Sequence, residues 1–275
     1  MDALKKILII TRSTLYDELH HKSVYLLSAV AVLFVLTLRG CFDDTITMNG
    51  RQLDGATVGW HASLAAFHLI AGAGILMGIL LGMRVLGRDK TTGTSAAVLA
   101  KPVHRFIYII GKALGIWITA YGLTFILHVT VYVIMLVKTG GRIELFLPAS
   151  LLLSVNVLFA VVSVMLLSQL LPDIAAALIS VGIWLVGYIS DTVYLASQTE
   201  MVKNVLEQMQ RSGDSIALWR ILWPKMTALQ FFGVSLIKDT PFHAPGPVHP
   251  FFNVAAYTGA MLVLLWRHFS REEIR

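Results

Sequence analysis

Residues 59–83 read GWHASLAAFHLIAGAGILMGILLGM, a run with no charged side chain. At about 1.5 Å rise per residue it exceeds the roughly 20 residues that a helix needs to cross a hydrocarbon core of about 30 Å. Outward from this stretch the pattern recurs. Ala113–Val137 and Leu145–Leu171 are equally free of formal charge, and Ile174–Ser190 and Phe251–Trp266 form shorter runs. Upstream, Val24–Leu38 lies between Lys22 and Arg39, whose stems can snorkel to the two surfaces. The chain is 56% hydrophobic and 14% charged, away from the composition of a soluble domain. The expectation is an all-α integral membrane protein with six transmembrane helices, forming one membrane domain over residues 1–275.

Basic residues orient such a chain. With the N-terminus inside, the cytoplasmic segments collect thirteen: Lys5, Lys6, Arg12, Lys22, Arg84, Arg88, Lys90, Lys101, Arg105, Lys112, Arg267, Arg271 and Arg275. The short outer loops hold four, Arg39, Arg51, Lys138 and Arg142. Both termini are therefore expected in the cytoplasm. Orientation explains the net charge of +6 and leaves no reason to invoke nucleic acid. The N-terminus lacks the layout of a cleaved signal peptide. Cys41 is the sole cysteine and has no internal disulfide partner.

Four pieces stand outside the spans, one of them the short polar loop at residues 39–58. Residues 1–22 place Leu4, Leu8, Leu15 and Leu19 at about helical-turn spacing, which reads as an amphipathic interfacial helix. Residues 84–105 form a basic loop between the second and third spans. Residues 196–250 form an extracytoplasmic segment before the sixth span. There Met201, Val205 and Met209 suggest one helix, Ser215 caps a second that contains Trp219, and Pro241, Pro245, Pro247 and Pro250 stiffen the return. The Asp43-Asp44 pair in the first outer loop reads as solvated.

Gly74, Gly78 and Gly82 recur at every fourth position and let another backbone approach, from the same chain or a second copy. His68 and His128 lie about equally deep on antiparallel helices, the geometry that a haem-binding redox anchor needs. No other haem signature accompanies them, and hydrogen-bonded histidines are the simpler reading. A non-transporting structural subunit is the other alternative. Asn156, in the fourth span, is the candidate polar residue of a substrate pathway, and Asp191 sits near enough to an interface to be hydrated. Metal-ligand pairs and nucleophile elbows are missing, and Gly82–Asp89 has Arg88-Asp89 where a phosphate loop requires Lys followed by Ser or Thr.

The stretch from Gly87 reads GRDKTTGTSAAVLAKPVHRFIYIIGKALG. It resembles the permease subunits of ABC transporters of the type-2 exporter class, in which a charged segment, Gly-Thr, a short apolar helix, a Pro, a basic residue and Gly-Lys join the second and third spans. Gly93, Thr94, Pro102, Arg105, Gly111 and Lys112 match those elements, and the resemblance is closest to permeases associated with multicopper-enzyme maturation. Where the family usually carries glutamates before Gly-Thr, this chain has Arg88, Asp89 and Lys90, so the acidic contact rests on Asp89. The resemblance implies a multi-pass inner-membrane exporter subunit that performs no bond chemistry. It pairs with a second permease copy or homologous permease and binds cytoplasmic ATPase subunits that hold the ATP and Mg. The implied coupling residues are Arg88, Asp89, Gly93, Thr94, Val98, Leu99, Pro102 and Arg105, with Val98 and Leu99 expected to face a groove of the ATPase.

Overall fold

A computed structural model describes residues 3–21, 24–26, 28–30, 32–33, 37, 47–48, 51–52, 55–139, 143–197, 223–242, 244 and 248–271. Helices account for nearly all of them: α1 (Ala3–Leu19), α2 (Gly55–Gly82), α3 (Val85–Thr91), α4 (Thr94–Leu99), α5 (Arg105–Thr139), α6 (Phe146–Leu170), α7 (Asp173–Ser197), α8 (Met226–Lys238) and α9 (Pro250–Arg271). Thr47–Met48 and Arg51–Gln52 pair as a minimal antiparallel hairpin. The calls on Cys41, Asp43-Asp44, the 201–209 helix, Ser215 and Trp219 lie outside the described residues.

Four helices, α2, α5, α6 and α7, are long and apolar enough to cross a membrane. Of the first expected span, the described residues are all helical. The sixth expected span corresponds to α9, whose 22 residues reach about 33 Å. It is more polar than the other four, ending in Arg267, His268 and Arg271. Local chemistry sets the boundaries. Pro148 falls in the first turn of α6, where a missing N–H costs little. Leu171 is extended before Pro172, the conformation a residue preceding proline favours, and Asp173 opens α7 with a negative charge in its first turn.

At the centre stands α6, packed against α2, α5, α7, α8 and α9. Its run from Phe159 to Leu166 is buried throughout, so it lacks the one-sided apolar stripe of a surface helix. The three glycines of α2 belong to this intrachain packing. Gly74 lies against Thr124 of α5, Gly78 against Val157 and Val161 of α6, and Gly82 against Val164. Two further glycines on α5 were not anticipated. Gly111 receives Ile10 and Gly115 receives Thr14, which seats α1 along α5 with Ile10, Thr11, Thr14 and Glu18 buried. Leu4, Leu8 and Leu19 of α1 remain exposed.

The ends of these helices are unlike. One carries Lys6, Arg84, Arg88, Lys90, Lys101, Arg105 and Arg271 and is called the basic end below; the other is the far end.

The glycine seats give a paired test. A Cβ at Gly115 would stand 2.5 Å from the Thr14 Cβ, whereas one at Gly122 meets nothing within 4 Å. Gly115→Val should destabilise the folded protein by about 1–3 kcal/mol and expose residues 3–21 to protease. Gly122→Ala should be neutral or stabilising by up to about 1 kcal/mol. Thermal unfolding in detergent with limited proteolysis reads both, and equal responses would contradict the seating of α1.

Candidate functional site

The loop between α2 and α5 folds into two short helices. α3 ends where the Thr91 and Thr92 hydroxyls both donate to the Arg88 carbonyl, each at 2.9 Å. Gly93 then turns the chain with φ of 73°, a left-handed conformation that glycine adopts without the steric cost of a Cβ. Its carbonyl accepts from the Ala97 N–H, starting α4. The Ser95 hydroxyl donates to the Asp89 carbonyl at 3.2 Å and closes α4 back on α3.

Asp89 is the anchor of this fold. Its side chain accepts a hydrogen bond from the Tyr108 hydroxyl and lies 2.6 Å from the Lys112 ammonium, both on α5. Asp89 and Lys112 are each only 4% exposed and Tyr108 is fully buried. A carboxylate and an ammonium out of water each cost several kcal/mol, so each depends on the other and on the extra hydrogen bond. This arrangement corrects one expectation: Asp89 is spent inside the chain and is not an acidic contact for a partner.

The remaining charged residues tie the loop to the rest of the basic end. Arg88 pairs with the buried Glu18 of α1, and Lys6 of α1 donates to the Pro102 carbonyl. Lys90 reaches Gln169 of α6 at 2.6 Å and lies 5.8 Å from the centre of the Phe269 ring of α9. Arg105 donates to the Phe269 and Ser270 carbonyls at 2.8 and 3.0 Å, satisfying acceptors that the end of α9 leaves open. Arg84 stands 3.7 Å from Asp173 of α7, but both are well exposed and the pair is worth little. Thus α1, α5, α6, α7 and α9 all have a polar contact with residues 84–105.

Val98 and Leu99 are half-buried against the core, so the expectation that they face outward is also corrected. A six-residue helix at a watery surface turns its larger apolar groups inward. The exposed surface is made by Thr91, Thr92, Gly93, Thr94, Ala96 and Ala97, continuing through Ala100, Lys101 and Pro102. Of the expected coupling residues, Gly93, Thr94 and Pro102 are on this surface, while Arg88, Asp89, Val98, Leu99 and Arg105 hold it in place.

Asn156 does not line an open path. It is 1% exposed and its Nδ2 donates to the Met226 carbonyl at 2.7 Å. Asn253 of α9 accepts from the Lys225 N–H at 2.9 Å, and Asp191 of α7 accepts from the Ala228 N–H at 2.8 Å. Three polar side chains from three helices therefore hold the start of α8, and Asp191 is buried rather than merely hydrated. The start of α8 sits level with the middle of α6, about 15 Å in from Phe146, and further on Gly233 packs by Phe67 and Ala149 nearer the far end. From that depth α8 runs toward the far end, and the N–H groups of Lys225 and Ala228 find internal acceptors as an apolar solvent demands. Sequence reasoning missed α8, although its 13 largely apolar residues are too few to span and suit a segment held inside the bundle.

The two histidines part ways. His128 is fully buried, with Nδ1 2.9 Å from the Ser150 hydroxyl and Nε2 3.3 Å from the Phe67 carbonyl, so neither nitrogen is open to a haem iron. The ring of His68 packs at 5.1 Å from that of Phe231. Among the described residues no group of three or more metal-ligating side chains comes together.

Long apolar helices gathered round a buried hub, with a compact polar loop clamped to one end, define a polytopic helical membrane protein. Residues 8–272 match the family described as ABC-2 family transporter protein. The match takes in nearly the whole chain, which therefore belongs to that family and is the permease subunit of an ABC transporter. Such a permease works with an ATPase partner. No curated protein matches the chain.

The Asp89–Lys112 pair is testable by a double-mutant cycle. Asp89→Asn strands a buried ammonium and should cost about 3–5 kcal/mol, and Lys112→Met should cost a comparable amount by stranding the carboxylate. The double variant should recover the greater part, because both charges leave together. Chemical unfolding in detergent measures the cycle, and additive costs would mean that the pair is not coupled.

Proposed function

We propose that the chain is one permease of a dimeric ABC exporter in the inner (plasma) membrane, crossing it six times with both termini and the basic end in the cytoplasm. The second permease is another copy or a homologue, and the nearest subgroup is the multicopper-enzyme-maturation type. ATP and Mg belong to the partner ATPase, and this chain does no bond chemistry of its own. Residues 84–105 are the coupling element. The excess of basic residues at that end supports the orientation.

One observation carries the coupling role: the loop is clamped to four helices, α1, α5, α6 and α9, through its charged residues, yet leaves a small, smooth surface at Thr91–Thr94, Ala96 and Ala97. A surface of threonine, glycine and alanine admits close approach of a partner, and rigid ties behind it transmit a push instead of absorbing it. In this reading Gly93, Thr94 and Pro102 meet the ATPase. Asp89, Arg88 and Arg105 hold the contact to the helices, and Val98 with Leu99 roots α4 in the core. The helix α8 covers the outer half of the bundle.

The test uses the permease reconstituted in nanodiscs with its cognate ABC ATPase. Thr92→Arg and Ala96→Arg should reduce ATPase binding at least about tenfold, as bulky changes in the centre of an interface do. Both positions are exposed, so unfolding of the permease alone should shift by no more than about 0.5 kcal/mol. An unimpaired complex in both variants would remove residues 84–105 from the coupling role.

A further inference from the structure

A cavity of about 370 Å³ lies between α1, α4 and the start of α5 at the basic end. Ile9 and Ile10 of α1 line it together with Val98 and Val103, and Lys6 and Lys101 bring ammonium groups to it. Among the described residues no carboxylate lines the cavity. Lys112 and Tyr108 also border it, but they are engaged with Asp89. Lys6 gives one N–H to the Pro102 carbonyl, which leaves two of its three donors for a ligand. The hydroxyls of Ser13 and Thr94 add polar groups to the lining.

The chemistry is two-sided, an apolar wall with a cationic rim. Leu4 and Leu8 continue the apolar surface of α1 beyond Ile9, and all three are exposed. With α1 at the membrane surface, the cavity is at the depth where acyl chains meet headgroups. A ligand that satisfies both halves carries a hydrocarbon chain and an anionic group close together. A free nucleotide or phosphate would leave the apolar wall uncovered on its cavity side, and a zwitterionic lipid would bring its own cation against two lysines.

We propose that this cavity binds one anionic phospholipid of the bacterial phosphatidylglycerol type, its phosphate at Lys6 and Lys101 and the upper part of an acyl chain against Ile9 and Val98. The lipid would bridge α1 and α4, joining the N-terminal helix to the loop at residues 84–105. The proposal rests on the membrane placement of α1, and Thr94, Ala97 and Lys101 of the cavity also border the surface proposed to meet the ATPase.

Native mass spectrometry of the purified full-length permease tests it, with palmitoyl-oleoyl phosphatidylglycerol or the phosphatidylcholine of the same chains added in delipidating detergent. The expected result is one tightly held phosphatidylglycerol and no corresponding phosphatidylcholine. Lys6→Ala and Lys101→Ala should each weaken that adduct about fivefold, and Lys138→Ala, at the far end, should leave it intact. Ala97→Trp, which fills the cavity with both lysines in place, should abolish it. If that variant does not fold, Ser13→Trp, on the opposite wall, reads the same outcome. Inorganic phosphate should not compete, and competition would make this a simple anion site and overturn the lipid reading. An adduct indifferent to the headgroup, or one that survives both lysine variants, would equally overturn it. So would an Ala97→Trp protein that loses the ATPase but keeps its lipid, since the cavity would then belong to the protein partner.

Discussion

The carboxylate of Asp89 has been taken out of water, and the basic end is built around keeping it satisfied. Lys112 neutralises it, Tyr108 adds a directed hydrogen bond, and Ser95 holds the backbone carbonyl of the same residue. Since α5 supplies both side-chain partners, α3 cannot leave α5 without stranding two charges in a medium that solvates neither. The neighbouring residues in sequence then have no freedom about where they point. Arg88 falls to the α1 side and Lys90 to the side of α6 and α9, so successive residues of one short helix are distributed among different neighbours.

Elsewhere the helices are held by fit more than by exclusion of water. Lipid tails are as apolar as leucine, so transmembrane segments gain from close packing and from hydrogen bonds. The small residues of α2 and α5 serve that need, letting valines of α6 and the Ile10 and Thr14 of α1 come against a bare backbone. Polar side chains inside the bundle also tie elements together. Asn156, Asp191 and Asn253 meet at the start of α8, the point where unpaired backbone N–H groups would otherwise face hydrocarbon.

The long helices were legible because a span is a solvent requirement written into composition, and charge-free runs such as 59–83 can be counted. The glycine repeat was legible as a contact but not as a direction, because a bare helix face does not say whose backbone fills it. Asp89 was legible as unusual within its loop, yet its partners Tyr108 and Lys112 lie 19 and 23 residues on, and no local pattern pairs them. Val98 and Leu99 were read as a binding face because apolar residues in a charged loop invite that reading. Burial against the helix ends accounts for them equally well. The helix α8 escaped because a run too short to span gives no periodic signature of being held inside.

A further constraint joins the two ends of the bundle. Arg105 and Lys90 grip α9 at Phe269 and Ser270, while Asn253 near its start holds the backbone at Lys225, where α8 begins. Between Asn253 and Phe269 lies about 24 Å of helix with no proline to bend it. Packing of α9 along α6 and the stacking of Phe269 on Tyr108 limit its freedom to slide. A displacement of the loop that preserves these bonds must carry α9 with it, and the load then reaches the start of α8. Were the bonds to yield instead, the break would come at the exposed Ser270 carbonyl before the buried Asp89 cluster, because the cost of separation rises with burial. The loop and α8 are thus parts of one mechanical unit, joined through α9.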